Sequence, residues 1–224
     1  MKRILYHGSK DLISVPLFGF GNTHNDYGQG FYCTENIELA KEWASSDSPI
    51  GYANIYSLDL EGLRICDLST GHHILNWLAV LLENRTFDLS SGAALKAKEY
   101  ILETFRPEYK DCDVITGYRA DDSYFAFAKD FLNNSIPLEK LSEAMRLGKL
   151  GEQVVLISEK AFDKICFTGA ELVNNAIYYP RKQERDAAAR AEYREAKDKF
   201  DFADSTFVMD IIRDGWKNDD ARLQ

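Results

Sequence analysis

The chain has little with which to build a metal or disulfide framework. Among its 224 residues are four cysteines, Cys33, Cys66, Cys112 and Cys166. None stands in a Cys-x-x-Cys pair, so neither a zinc site nor a disulfide lattice is indicated, and a reducing, cytoplasmic setting is expected. No stretch approaches the roughly 20 apolar residues of a membrane span. Met1-Lys2-Arg3 also runs into the first predicted strand without an apolar signal region, so no membrane association is expected. Basic residues are in deficit: 27 Lys and Arg against 36 Asp and Glu give a formal net charge of −9. That balance argues against a sequence-independent grip on duplex DNA, which draws on counterion release by clustered cations. The densest basic run, Arg181 to Lys199, mixes seven basic with five acidic residues at helical spacing and reads as a solvated face. Internal repeats and low-complexity linkers are missing as well, which leaves one domain over residues 1–224.

What the chain does have is a core. Hydrophobic residues make up 45% of it, enough at this length for a globular fold. Short strands are predicted at Arg3 to Tyr6, Gly30 to Cys33, Ala53 to Asp59, Asp113 to Ile115, Gln153 to Ser158 and Lys164 to Phe167. Thr34 is the expected N-cap of a helix over Glu35 to Ala44, with Ile37, Ala40 and Ala44 on one face. A helical insertion is expected at about 69–105: Ile74, Leu75, Leu78 and Leu82 form one apolar stripe, Leu95, Tyr100, Leu102 and Phe105 another, with a break near Asn84. Further helices are predicted at Asp122 to Leu132 and Pro137 to Leu147. A helical C-terminal extension over about 181–224 holds helices at Arg181 to Phe200 and Ser205 to Asp214. Strands and helices that do not alternate regularly make an α+β fold.

Two motifs carry the chemistry. Leu5-Tyr6-His7-Gly8-Ser9 sets an imidazole beside a residue without a side chain, so a ring nitrogen can bond a ribose hydroxyl while the Gly8 backbone approaches a planar amide. Asp26-Tyr27-Gly28-Gln29-Gly30-Phe31-Tyr32-Cys33-Thr34 ends in aromatic residues, and Trp43 follows on the predicted helix; flat aromatic faces suit a flat cationic ring. Each piece has a plainer reading alone, with His7 a structural strand-end residue, Gly28 and Gly30 a turn or bulge, and the aromatics ordinary core.

In this order and spacing the motifs resemble the ADP-ribosyltransferase superfamily, in the His-Tyr-Glu branch that includes the poly(ADP-ribose) polymerases and diphtheria toxin. Closer still, the chain resembles a bacterial domain family of unassigned function placed in that superfamily, at Tyr6 to Ser9, Asp26 to Thr34, Trp43-Ala44, Gly117 to Asp122 and Gln153 to Ser158. The resemblance implies a split β-sheet core that takes NAD as substrate. His7 would bind the adenosine ribose, Gly8 and Ser9 the nicotinamide carboxamide, and Tyr32 and Trp43 would clamp the nicotinamide ring. Catalysis would fall to Tyr32 and to the residue opening the strand at Gln153, where the superfamily has glutamate.

Here the chain departs, since a glutamine carries no full charge. Glu152 is the neighbouring carboxylate, with Asp121 and Asp122 as further candidates, and the sequence leaves the choice open. Loss of that glutamate goes with transfer of a single ADP-ribose in the superfamily. The resemblance therefore implies a mono-ADP-ribosyltransferase acting on a macromolecular acceptor, protein before nucleic acid. Such an enzyme would serve as a toxin or defence effector restrained by an inhibitory antitoxin protein. An NAD glycohydrolase and a silent NAD- or ADP-ribose-binding module are the competing readings.

Overall fold

Burial differs between the strands: it comes close to alternating in β3 (Ile50–Asp59), whereas β5 (Val114–Tyr118) and β6 (Glu152–Leu156) are buried almost throughout. In the computed structural model, which describes residues 1–46, 49–120, 122–144, 151–196, 199–201 and 203–223, β1 (Lys2–Ser9) pairs antiparallel with β3 (Ile50–Asp59), and β3 with β7 (Ile165–Asn174). A second sheet has the order β2-β6-β5-β4, from β2 (Phe31–Cys33), β6 (Glu152–Leu156), β5 (Val114–Tyr118) and β4 (Ile65–Asp67). Its β4–β5 pair is parallel and its other pairs antiparallel. The two sheets meet where Tyr6 and Thr34 exchange backbone hydrogen bonds of 2.8 and 2.9 Å.

The fold is mixed α+β. Helix α1 (Ile37–Ala44) packs on β1, and Gly8 lets it come close: a Cβ there would fall on the Ala40 carbonyl oxygen and lie 2.6 Å from the Ala44 nitrogen. The opposite side of the molecule is helical. Helices α2 (Ile74–Asn84), α3 (Gly92–Phe105), α4 (Asp122–Leu132), α5 (Leu138–Ala144) and α8 (Val208–Arg213) gather around Trp77, Leu78, Phe105, Phe127 and Phe131. Ile115 and Val155 carry that core onto the second sheet. The short α6 (Glu159–Phe162) and the long α7 (Asn175–Ala196) flank β7, and a 3-10 turn at Ala221–Leu223 closes the described chain.

The predicted insertion is helical over both its apolar stripes, but several boundaries move. The N-cap of α1 is Asn36, whose side chain accepts from the Glu38 and Leu39 nitrogens; Thr34 is still extended, held by its bridge to Tyr6. β7 runs on to Asn174, well past Phe167, through its pairing with β3 as far as Ile50; most of its residues are at least partly exposed, so no apolar alternation marks it in the sequence. Helix α7 begins before Arg181 and passes through Pro180, whose missing N–H costs one bond without ending the helix. Phe200 lies in a bend and not in that helix. The expected end of the helix from Pro137, at Leu147, lies outside the described residues.

Candidate active site

Between the two sheets lies a cavity of about 790 Å³. β1 brings His7 and Gly8 to it, β2 brings Phe31 and Tyr32, β6 brings Gln153 and α1 brings Trp43. Asp26, Arg85 and Arg119 complete the floor. The mouth has two sides: the loop of residues 10–21, with Ile13, Val15, Leu17 and Phe20, and helix α7, with Lys182, Asp186 and Arg190.

His7 is fixed at one nitrogen and open at the other. Its Nδ1 lies 2.7 Å from the Tyr32 carbonyl oxygen, an acceptor, so Nδ1 carries the proton. Its ring stacks on Phe31 with centroids 4.5 Å apart. Burial lowers the imidazole below its usual titration range, against the pull of the Tyr32 carbonyl, so the neutral ring keeps Nε2 as an acceptor suited to a hydroxyl donor.

Tyr32 is committed at its hydroxyl, which donates to the Gly28 carbonyl at 2.6 Å and accepts from the Tyr27 nitrogen at 3.0 Å. Gly28 has φ +76°, a left-handed turn that glycine adopts without strain. The Tyr-Gly-x-Gly-Phe-Tyr motif is thus a turn tied off by its own last tyrosine, with the ring left to line the cavity. Burial raises the Tyr32 phenol well above its usual value, so it does not ionise. Trp43 lines the cavity too, with the Arg119 guanidinium over its ring, 4.8 Å from the centroid.

Gln153 and Glu152 point apart, as strand alternation requires. Gln153 is 4% exposed and lines the cavity, donating from Nε2 to Asp26 Oδ2 at 2.9 Å. Glu152 is exposed and does not line it. Ser9 does not line it either: its hydroxyl donates to the Asp11 carbonyl and accepts from Asn54. Asp121 lies outside the described residues, and of Asp122 only its place at the start of α4 is described.

Sequence reasoning overlooked the cavity's own carboxylate. Asp26 opens the second motif, and nothing in that pattern marks it as buried; in the fold it is 6% exposed, and Oδ2 also accepts from the Ala120 nitrogen at 3.0 Å. Burial raises its pKa, offset in part by those two bonds and by Arg85 and Arg119. The basic residues of α7 have the spacing of a solvated face, and nothing in a mixed-charge helix announces that Lys182 and Arg190 border a cleft. Among the described residues no group of His, Cys, Asp and Glu side chains forms a metal site, and no helix is long and apolar enough to cross a membrane.

Comparison with curated proteins and with solved structures gave no match. A family model does match, over residues 3–167, a span that holds every strand-borne residue of the cavity floor and stops short of α7. The chain belongs to the family described as "Protein of unknown function (DUF3990)".

Proposed function

We propose that the chain is a mono-ADP-ribosyltransferase that cleaves NAD and passes ADP-ribose to a macromolecular acceptor. The observation that carries this reading is the convergence of His7, Gly8, Tyr32, Trp43 and Gln153, from three strands and a helix, on one cavity large enough for a dinucleotide. In this reading His7 Nε2 accepts from a ribose hydroxyl, the Tyr32 ring lies against the nicotinamide, and Gln153 accepts from the hydroxyls of the second ribose. Four cationic lining residues, Arg85, Arg119, Lys182 and Arg190, face three aspartates, Asp11, Asp26 and Asp186. That is an excess of positive charge in a chain of net charge −9, and it suits a diphosphate.

The bond between the ribose anomeric carbon and the nicotinamide nitrogen breaks heterolytically. Its electron pair neutralises the departing pyridinium, and the ribose takes up the positive charge as an oxocarbenium ion. A nucleophile of the acceptor then bonds that carbon and gives its proton to solvent. Aromatic walls keep water from the cation while it lasts. An enzyme of this kind fits a toxin or defence effector held in check by an inhibitory protein partner.

Incubation of the purified chain with NAD, with and without cell extract, tests the reading. Nicotinamide release that depends on extract and labels a macromolecule supports it. Release without extract makes the chain a glycohydrolase, and binding without release makes it a silent module, an outcome the neutral Gln153 keeps in view.

A further inference from the structure

We propose that Asp26 is a positioning residue for the NAD-cleaving step: its carboxylate fixes the Gln153 amide with the oxygen toward the substrate and lends that oxygen the charge that glutamine lacks. The inference rests on the function proposed above.

Both side chains line the cavity, and both are more than nine-tenths buried, Gln153 at 4% and Asp26 at 6% exposure. Three donors converge on Asp26. The Gln153 amide and the Ala120 N–H reach Oδ2 at 2.9 and 3.0 Å, and the Arg85 Nε lies 3.8 Å from Oδ1. Burial works against the charge on Asp26, but all three partners are donors and one is a guanidinium, which holds the group as a carboxylate. A carboxylate only accepts, so the end of the Gln153 amide that meets it must be the NH2. Oε1 is thereby turned away from Asp26, and it accepts no hydrogen bond from a described residue.

A neutral amide whose N–H donates to a carboxylate is polarised along the chain of bonds, its oxygen gaining negative charge. This oxygen is the atom that accepts from a ribose hydroxyl as the glycosidic electron pair leaves for the nicotinamide ring. Hydrogen bonding there raises the electron density on the hydroxyl oxygen beside the anomeric carbon, where positive charge develops. No proton need change hands in this step: Asp26 remains ionised, Gln153 remains neutral, and only the electron pair moves. A dyad of buried Asp and Gln thus offers a displaced negative charge where a single glutamate would offer a direct one.

The geometry separates charge from shape. One oxygen of Asp26 accepts both the Ala120 and Gln153 bonds, so Asp26→Asn can set its amide oxygen there and keep both, while the charge is lost and an NH2 replaces Oδ1 beside Arg85. The expected result is a fall in kcat of about tenfold or more with KM for NAD changed by less than about twofold. An Asp26→Asn enzyme with wild-type kcat overturns the proposal and leaves Asp26 a structural acceptor, whose loss only Asp26→Ala would reveal.

A second measurement does not depend on turnover. In the side-chain amide NMR spectrum of the isotopically labelled protein, assigned with Gln153→Glu, one Gln153 NH2 proton should resonate downfield and exchange slowly, and should move upfield in Asp26→Asn. Absence of that proton in the wild type overturns the proposal whatever the substrate. If the proton is present but the wild type releases no nicotinamide from NAD, the enzymatic reading is what fails; the catalytic role of Asp26 is then overturned with it, and the amide orientation stands as a structural fact.

Discussion

The floor of the cavity and its mouth are built on opposite terms. On the floor four polar side chains are anchored at one end: His7 to the Tyr32 carbonyl, Tyr32 to its own turn, Gln153 to Asp26, and Asp26 to Ala120. At the mouth, Val15, Leu17 and Phe20 are 69, 62 and 84% exposed, on a loop held at its ends by Asn54 and Gln29. The opposite side, α7, lies beyond the residues matched by the family model. Paired strands thus hold groups that must meet a substrate in one geometry, and exposed surface surrounds the entrance, the usual division between scaffold and recognition loop.

The contrast is sharpest at glycine. Gly8→Val sets a branched side chain against the Ala40 carbonyl and within 2.8 Å of Trp43 Cβ. Overpacking of this kind costs about 3 kcal/mol or more, and chemical denaturation should show a strongly destabilised or unfolded chain. Gly19, in the mouth loop with φ +77° and open space around it, should lose only about 1–2 kcal/mol on substitution by alanine, from backbone strain. Equal losses at the two positions would erase the distinction between floor and mouth.

Ligand affinity follows next. His7→Ala should weaken NAD binding by about 1–3 kcal/mol in calorimetry, the value of a hydrogen bond in a closed site. Lys182→Ala and Arg190→Ala, on the accessible helix, should each lose less than about 1 kcal/mol, and that loss should shrink further in high salt. A folded His7→Ala chain with unchanged affinity would sink the pocket assignment.

Protonation gives a smaller effect. Burial lowers both His7 and His73 below the ordinary 6.5, so the folded chain resists a proton that the unfolded chain accepts. Their stabilising contribution is therefore complete above about pH 6.5 and is lost as the pH falls through that value toward the folded pKa values. Thermal unfolding followed downward from neutral pH should show this slope, and His7→Asn should make it shallower. The smallest effect is expected for Phe20→Ser, which should leave stability within about 0.5 kcal/mol while changing the yield of labelled acceptor relative to free nicotinamide.

How far the sequence alone reaches can be read from the same residues. Periodicity and glycine spacing identify β1, the Tyr-Gly-x-Gly turn and both helical stripes, because each is a local pattern with one strong packing solution, whereas Gln153 is placed by the family resemblance, with the choice between it and Glu152 left open. Local pattern says nothing of the bond between Asp26 and Gln153, which are 127 positions apart. It also misses Arg119 over Trp43, which depends on where β5 ends against α1. It cuts β7 short, since an exposed strand lacks the alternation that would mark it. Gly8 is a useful middle case: the motif implies a close approach at this residue, but the group that demands it is α1.

The two backbone bonds between Tyr6 and Thr34 have a mechanical meaning. They make a clasp between two separately paired sheets, one carrying His7 and the other Tyr32 and Gln153. A molecule gripping residues of both sheets becomes a second clasp across the same seam. Pulling the sheets apart then requires its release, and stability rises with its concentration by about 2.7 kcal/mol at a hundred times Kd. In this architecture a filled cleft doubles as a tie rod, and thermal shift reports occupancy without any need for turnover.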